Sequence, residues 1–276
     1  MKGHARPFSP NGTSSAVPPF PWRFAADQVV IHFRADPKAL NALLPPPMKP
    51  NPERQGEAFI WTPNLKCHPV DEHEFANIKN PARTQYNVAV LAVPGLFMNK
   101  PALISAFQWC DKDWLVVLSW IIGTCARQAQ FYDTGMHPLF AEMGSSLTGG
   151  LGSNFNRTVS RHGEQLMKMS YTPEQEISVK DMDFFYGTFP LLSERHIPDV
   201  EIPPRGRPVV HDLTQMTLLD QAMDGFTKGP ASLEFNANAD NEELGPLQPS
   251  EVLGGYRWRM SFILPGIKVA HNYLAD

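Results

Sequence analysis

The 276-residue chain is short of cysteine, of charge and of long apolar runs, and each shortage excludes something. Three cysteines, Cys67, Cys110 and Cys125, are too few and odd in number for a disulfide framework. Charged residues make up only 19%, and 24 Lys and Arg against 28 Asp and Glu leave a net charge of -4 with no basic stripe. No nucleic-acid partner is expected from such a surface. The longest apolar stretch, Trp114 to Cys125, falls well short of the ~20 residues of a membrane span. The opening MKGHARPFSPNGTSS carries no apolar signal region, so a cytoplasmic protein with no membrane partner is expected. Without a secretory signal the glycosylation sequons at Asn11 and Asn156 carry no weight. There is no internal repeat and no glycine loop able to cradle phosphate.

Proline, by contrast, is heavily used, with 27 residues. It interrupts helix interiors and central strands, so many short strands joined by Pro/Gly turns are expected rather than a helical bundle. A hydrophobic share of 42% provides a sizeable core, and with so little charge it also predicts extra buried surface, as in a homo-oligomer. Residues 1 to 20 read as a flexible tail. Strands are expected at Gln28 to Arg34, Glu57 to Thr62, Tyr86 to Val93, Ala102 to Trp109, Gln165 to Thr172, Met182 to Thr188, Val209 to Met216, Ala231 to Asn236, Tyr256 to Ile263 and Val269 to Tyr273. Asp36-Pro37 signals a short helix over Lys38 to Leu44, stopped by Pro45-Pro46-Pro47. Trp114, Leu118 and Ile121 repeat at helical spacing, so an amphipathic helix is expected over Trp114 to Ile122, capped by Asp111 or Asp113 and ended by Gly123. Residues 64 to 84, Ser145 to Gly152, Gly225 and Asp240 to Pro249 read as connections.

Several groups of residues carry chemistry, each with a plainer explanation beside it. Cys67, His68 and His73 with Asp71, Glu72 and Glu74 match no standard zinc spacing, and a solvated acidic loop explains them better. Gly144-Ser145-Ser146 lacks the spacing of a nucleophile elbow, and Cys125 reads as a structural cysteine. His32 and His211 lie in strands, where a hydrogen-bonded histidine is the ordinary finding. The helix from Trp114 delivers Thr124, Cys125, Ala126, Arg127 and Gln128 at its C-terminal end. There Arg127 either complements the helix dipole or points into a cavity to bind a carboxylate or enolate. Spacing leaves the two equal.

Several stretches in order resemble the acetoacetate decarboxylase superfamily. They are Phe20-Pro21-Trp22-Arg23-Phe24, Val30 to Leu40 with Leu43 to Met48, Gln85-Tyr86-Asn87-Val88, Gln108-Trp109-Cys110-Asp111 before the helix, Leu218 to Met223, and Phe262 to Pro265 with His271 to Leu274. The resemblance implies a single α+β domain over residues 21–276, mostly antiparallel strands around a cone-like β-barrel with a central pocket, assembled as a homo-oligomer. It also implies a lysine just past the helix that forms a Schiff base with a keto acid. Here Ala126-Arg127-Gln128 stand where Pro-Lys-Lys is expected, and a guanidinium cannot condense with a ketone. Lys168 and Lys112 are the candidates for a relocated amine.

The resulting expectation is a lyase without cofactor or metal, cleaving a small apolar or aromatic oxo acid or phenolic compound by decarboxylation or retro-aldol release. Arg127 would stabilise the anion, and Glu57 or His32 would move the proton. Tyr86, Asn87, Gln128 and Thr124 would orient the substrate, with Trp61, Trp109, Trp120, Phe107 and Phe131 as apolar walls. The alternatives are a hydratase, cyclase or isomerase acting on an enolisable acid, and a non-catalytic small-molecule binding protein.

Overall fold

A computed structural model describes residues 1–70, 81–182, 189–239 and 242–275. The chain runs through β1 (Trp22–Arg34), α1 (Pro37–Asn41), β2 (Lys49–Pro50), β3 (Glu57–Pro69), β4 (Gln85–Phe97), β5 (Lys100–Cys110), α2 (Asp113–Ile122), β6 (Arg127–Gln128), β7 (Gln130–Asp133) and β8 (Phe155–Arg161). It continues through β9 (Glu164–Tyr171), β10 (Gln175–Glu176), β11 (Leu191–Ile197), β12 (Val210–Met216), β13 (Leu219–Gly229), β14 (Ala231–Phe235), β15 (Glu251–Leu264) and β16 (Ile267–Asn272). Among the described residues, no helix is long and apolar enough to cross a membrane.

Twelve strands form one mainly antiparallel sheet in the order β10-β13-β15-β1-β3-β4-β5-β11-β12-β16, with β2 added to β4 and β6 to β5. A second sheet has the order β14-β9-β8-β7. This is the α+β, strand-dominated architecture expected. The hydrogen-bonded ladder ends at β10 and β16 rather than closing. The large sheet nevertheless curls, because inward residues of strands as far apart as β15 and β5 meet in one cluster with α2.

Strand alternation makes two cores from one sheet. On β1, Phe24, Ala26 and Val30 face inward to the cluster under α2, while Ile31 and Phe33 face outward. The outward side chains are covered by the four-stranded sheet, which brings Val159, Met167, Leu233 and Phe235. Tyr171 of β9 fastens this layer. Its ring lies over Gly255 of β15, where any Cβ would stand 2.3 Å from Tyr171 Cδ2, and its hydroxyl donates to Thr227 Oγ1 at 2.8 Å. Arg157 of β8 is a second fastener, 2% exposed, bidentate to Asp133 at 2.6 Å and donating to the Thr62 carbonyl of β3 at 3.2 Å.

Several expectations are corrected. The first 20 residues are not a free tail, since Val17 is 1% exposed and Ser15 Oγ donates to the carbonyls of Ala5 and Val17 at 2.8 Å each. β3 continues through residues expected to loop, because pairing with β1 extends to Trp22↔Pro69. β8, β11 and β13 were not anticipated. β13 is mostly exposed and carries Gly225 within it beside a bulge, so it lacks the alternation that marks a half-buried strand. Asp36 does cap α1, its Oδ1 accepting from Lys38 N at 3.0 Å. For α2 the cap position is Lys112, without a side-chain bond, because Asp111 accepts instead from the Asn87 backbone N–H and Nδ2 at 2.9 and 3.0 Å. Gly123 ends α2 in the left-handed region at φ +101°, where a Cβ would meet Thr214 Oγ1 at 2.7 Å. The strand expected over Met182 to Thr188 lies largely outside the described residues.

Candidate functional site

α2 plugs the inward side of the curled sheet. Trp114, Leu115, Leu118, Ser119 and Ile122 are buried there, while Val117, Trp120 and Ile121 face away and are exposed. The turn after α2 is wound tightly on Ser119. Its carbonyl accepts from Gly123 N and Thr124 N at 2.8 Å each, and its hydroxyl accepts from Ala126 N at 3.0 Å while donating to Val116 O at 2.9 Å. This winding turns Thr124 inward.

Between α2 and the sheet lies a cavity of about 80 Å³. Its walls are overwhelmingly apolar, with Phe24, Leu65, Val88, Leu118 and Phe262 among them. The polar contributors are Trp61, Tyr86, Gln108, Ser119 and Thr124. Among the described residues, no charged side chain lines it. Tyr86 is packed edge-on against both Phe24 and Trp114. Trp61 Nε1 donates to Gln28 Oε1 at 2.5 Å. Gln108 has no side-chain hydrogen bond to any described residue and projects into the cavity from β5.

Of the twelve residues expected to form the site, the fold brings Tyr86, Trp61 and Thr124 together here. Arg127 is elsewhere, and the reason is strand parity. It pairs with Trp109 on β5, so both take the outward face, whereas Gln108 and Cys110 face inward. The guanidinium lies over the Phe107 ring and donates to Glu242 Oε2 at 2.6 Å. Glu242 is 2% exposed and also accepts from Trp109 Nε1 and Arg161 Nη1, each at 2.9 Å. Arg127 is thus corrected from an anion binder in the chamber to one donor of an outer carboxylate clamp. Ala126, 1% exposed, holds the inward position beside it.

The remaining expected residues are also placed apart from the cavity. Asn87 faces outward, bonded to Asp111, Asn64 and Arg157. Gln128 is exposed, Trp120 is half exposed with its indole on the Ala126 carbonyl, and Trp109 is spent on Glu242. Phe107 and Phe131 support the outer cluster and lie over Arg127 and Arg157 respectively. His32 and Glu57 do meet each other, with Nε2 and Oε2 3.0 Å apart, and Arg54 donates to the same oxygen at 3.0 Å. They do not line the cavity. Burial holds the His32 pKa below its ordinary value, against the opposing pull of Glu57. Neither proposed amine is in place: Lys112 pairs with Asp111, and Lys168 is exposed on β9. Burial raises Cys125 and pushes the Cys67 and Cys110 thiols up to about 12, so none is a ready nucleophile. Of the metal candidates, Cys67 Sγ donates to the Arg83 carbonyl and His68 Nδ1 meets Pro69 O. Asp71, Glu72, His73 and Glu74 lie outside the described residues.

Two interior residues were missed. Gln108 and Gln28 are amides at inward positions of otherwise apolar strands, and a polar residue breaking that alternation is the signal that would have found them.

The layered strands and the helix-plugged chamber define an α+β fold whose cavity carries no charged side chain among its described lining residues. The chain belongs to the acetoacetate decarboxylase family, whose model matches residues 5–274. Solved structures share the fold. An acetoacetate decarboxylase-like enzyme from Sphingomonas wittichii RW1 superposes with a TM-score of 0.84 at 23% identity, covering 98% of this chain and 100% of that one. The enduracididine biosynthesis enzyme MppR, complexed with the condensation product of pyruvate and imidazole 4-carboxaldehyde, gives 0.81 at 22%, covering 99% and 97%. An acetoacetate decarboxylase from Legionella pneumophila gives 0.75 at 17%, covering 99% and 98%. No curated protein matches the chain in sequence.

Proposed function

We propose that this protein is a cofactor-independent lyase that releases carbon dioxide from a small, largely apolar 3-oxo acid bound in its uncharged form. One observation carries the proposal: the chamber's described walls are apolar with a few neutral hydrogen-bonding groups. A carboxylate entering it loses hydration without gaining a counter-charge, so the bound acid takes up a proton. An uncharged 3-oxo acid holds that proton in a closed ring, from its acid hydroxyl to its own ketone oxygen. Breaking the bond between the α-carbon and the carboxyl carbon releases carbon dioxide, and the proton passes to the ketone oxygen. The product is an enol, which becomes the ketone after release. No net charge develops, and neither an amine nor an external base takes part.

The protein's share is confinement. The walls favour the compact ring conformer and keep water from competing for its internal hydrogen bond. Gln108 and Tyr86 supply neutral groups that orient the oxygen end. Members of the family support lyase chemistry in general, and the Schiff-base route finds no lysine on these walls. Retro-aldol release, hydration and isomerisation all need a base beside the substrate, and none of the lining residues is a carboxylate, imidazole or amine. That same lack favours one second reading, binding of a neutral small molecule without turnover.

Carbon dioxide release from acetoacetate by the purified protein tests this. The expected kcat/KM falls about tenfold per pH unit above the substrate's own pKa, because only the neutral acid enters. Borohydride added with substrate leaves activity intact. A lysine adduct trapped by borohydride overturns the mechanism, and binding without carbon dioxide release selects the second reading.

A further inference from the structure

The small sheet covers only part of the large sheet's outward face. It packs over β1 at Ile31 and Phe33. Along the first half of β1, and on the stretches of β3, β15 and β13 paired with it, the outward side chains are exposed or half-buried among the described residues. Pairing sets these side chains in cross-strand rows. In the order β3, β1, β15, β13, one row reads Asn64, Asp27, Arg259, Asp224, and the row beside it reads Lys66, Ala25, Ser261, Ala222. An open groove of about 410 Å³ lies over both.

The charged row is neutral, negative, positive, negative, and that pattern is its own complement. Turned end for end and laid on itself, it sets Asp27 against Arg259, Arg259 against Asp27, and each Asp224 against Asn64. A twofold axis parallel to the strands, running between β1 and β15, makes this turn. The same axis lays Lys66 over Ala222 with Asp224 beside it. It also lays Ala25 over Ser261, where short side chains let two sheets pack face to face. No like charges meet in these two rows. Within one chain the charges make exposed pairs, Arg259 on Asp224 at 2.8 and 3.0 Å and Lys66 3.8 Å from Asp27. Such pairs contribute little in water, whereas opposite charges enclosed between two matching faces select the partner and fix its register.

We infer that this face is the interface between two copies of the chain, packed sheet to sheet about that twofold axis, with Asp27 of each copy on Arg259 of the other. The contact is independent of the chamber's chemistry and stands whether or not carbon dioxide is released.

Sedimentation of the full chain across a micromolar concentration range is expected to give a species of at least twice the 30.9 kDa chain mass. Asp27→Arg sets a cation against Arg259 twice in each dimer and is expected to weaken association about 100-fold, tenfold for each contact. Adding Arg259→Asp restores opposite charges across the axis, and the dimer with them. A chain that sediments as a monomer, its bare face taking another partner or none, overturns the inference. So does an assembly that Asp27→Arg leaves unchanged, which places the contact elsewhere, and so does a weakening that the double variant does not repair. If circular dichroism shows Asp27→Arg unfolded, Ala25→Arg answers in its place. Ala25 is exposed and faces Ser261 of the second copy, so loss of the dimer is expected, and an unaltered dimer refutes the interface.

Discussion

Replacing Arg127 with alanine separates two accounts of this family member. If the guanidinium stabilised an anion in the chamber, its loss would abolish turnover and spare the fold. The structure predicts the reverse. Arg127 is one of three donors on the Glu242 carboxylate, at 2.6 Å, while Trp109 and Arg161 hold the same carboxylate at 2.9 Å each. A charge-assisted bond of this kind contributes about 1.5–3 kcal/mol. The Arg127 side chain is 39% exposed, so solvent screening discounts it, and the two remaining donors keep Glu242 partnered. A loss of about 1–2 kcal/mol follows. For a domain of this size that lowers Tm by roughly 2–8 °C. Glu242→Gln is the harsher change, because it strips the counter-charge from two guanidiniums at a site 2% exposed, and about 3–5 kcal/mol is expected. Urea and thermal unfolding give the stability loss, and carbon dioxide release on the same preparations gives turnover. An Arg127→Ala protein with native stability and no activity would refute the outward placement and return the guanidinium to the chemistry.

Two further outcomes follow from packing and charge. Gly255→Ala places a methyl 2.3 Å from Tyr171 Cδ2 and 2.9 Å from Ala231 Cβ, prying the small sheet from the large one, so the urea midpoint is expected to drop by the equivalent of about 1–3 kcal/mol; an unchanged midpoint would mean the two layers are not in such contact. His32 has a depressed pKa from burial, so below pH about 6.5 the unfolded chain takes up a proton that the folded chain resists. Stability therefore falls as pH drops through that window, and His32→Gln is expected to flatten the slope of unfolding free energy against pH; an identical slope would show that the imidazole does not contribute.

Most strands were legible because their residues are β-branched or aromatic and their ends carry proline, glycine or short polar runs. β1, β4, β5 and β15 are all buried strands of this kind. β13 was not legible, since its exposure removes the pattern and two bulges shift its register. The cavity was legible only in part, since three of the twelve residues expected at the site line it. Tyr86, Trp61 and Thr124 could be placed from their position in the chain, whereas Arg127 could not, because one residue of register moves a side chain from the inner core to the outer one.

From the order of its apolar segments, its prolines and the helix ended by Gly123, the chain alone determined an α+β domain of many strands and the absence of lysine just past α2. Only the tertiary structure could decide which side chains share the chamber. Pairing of β6 with β5 turns Arg127 outward to Glu242, 115 residues away in sequence, and pairing of β1 with β3 sets Gln28 behind Trp61. Such partners are chosen by strand register across the whole sheet, and register is a long-range property that no local stretch of residues contains.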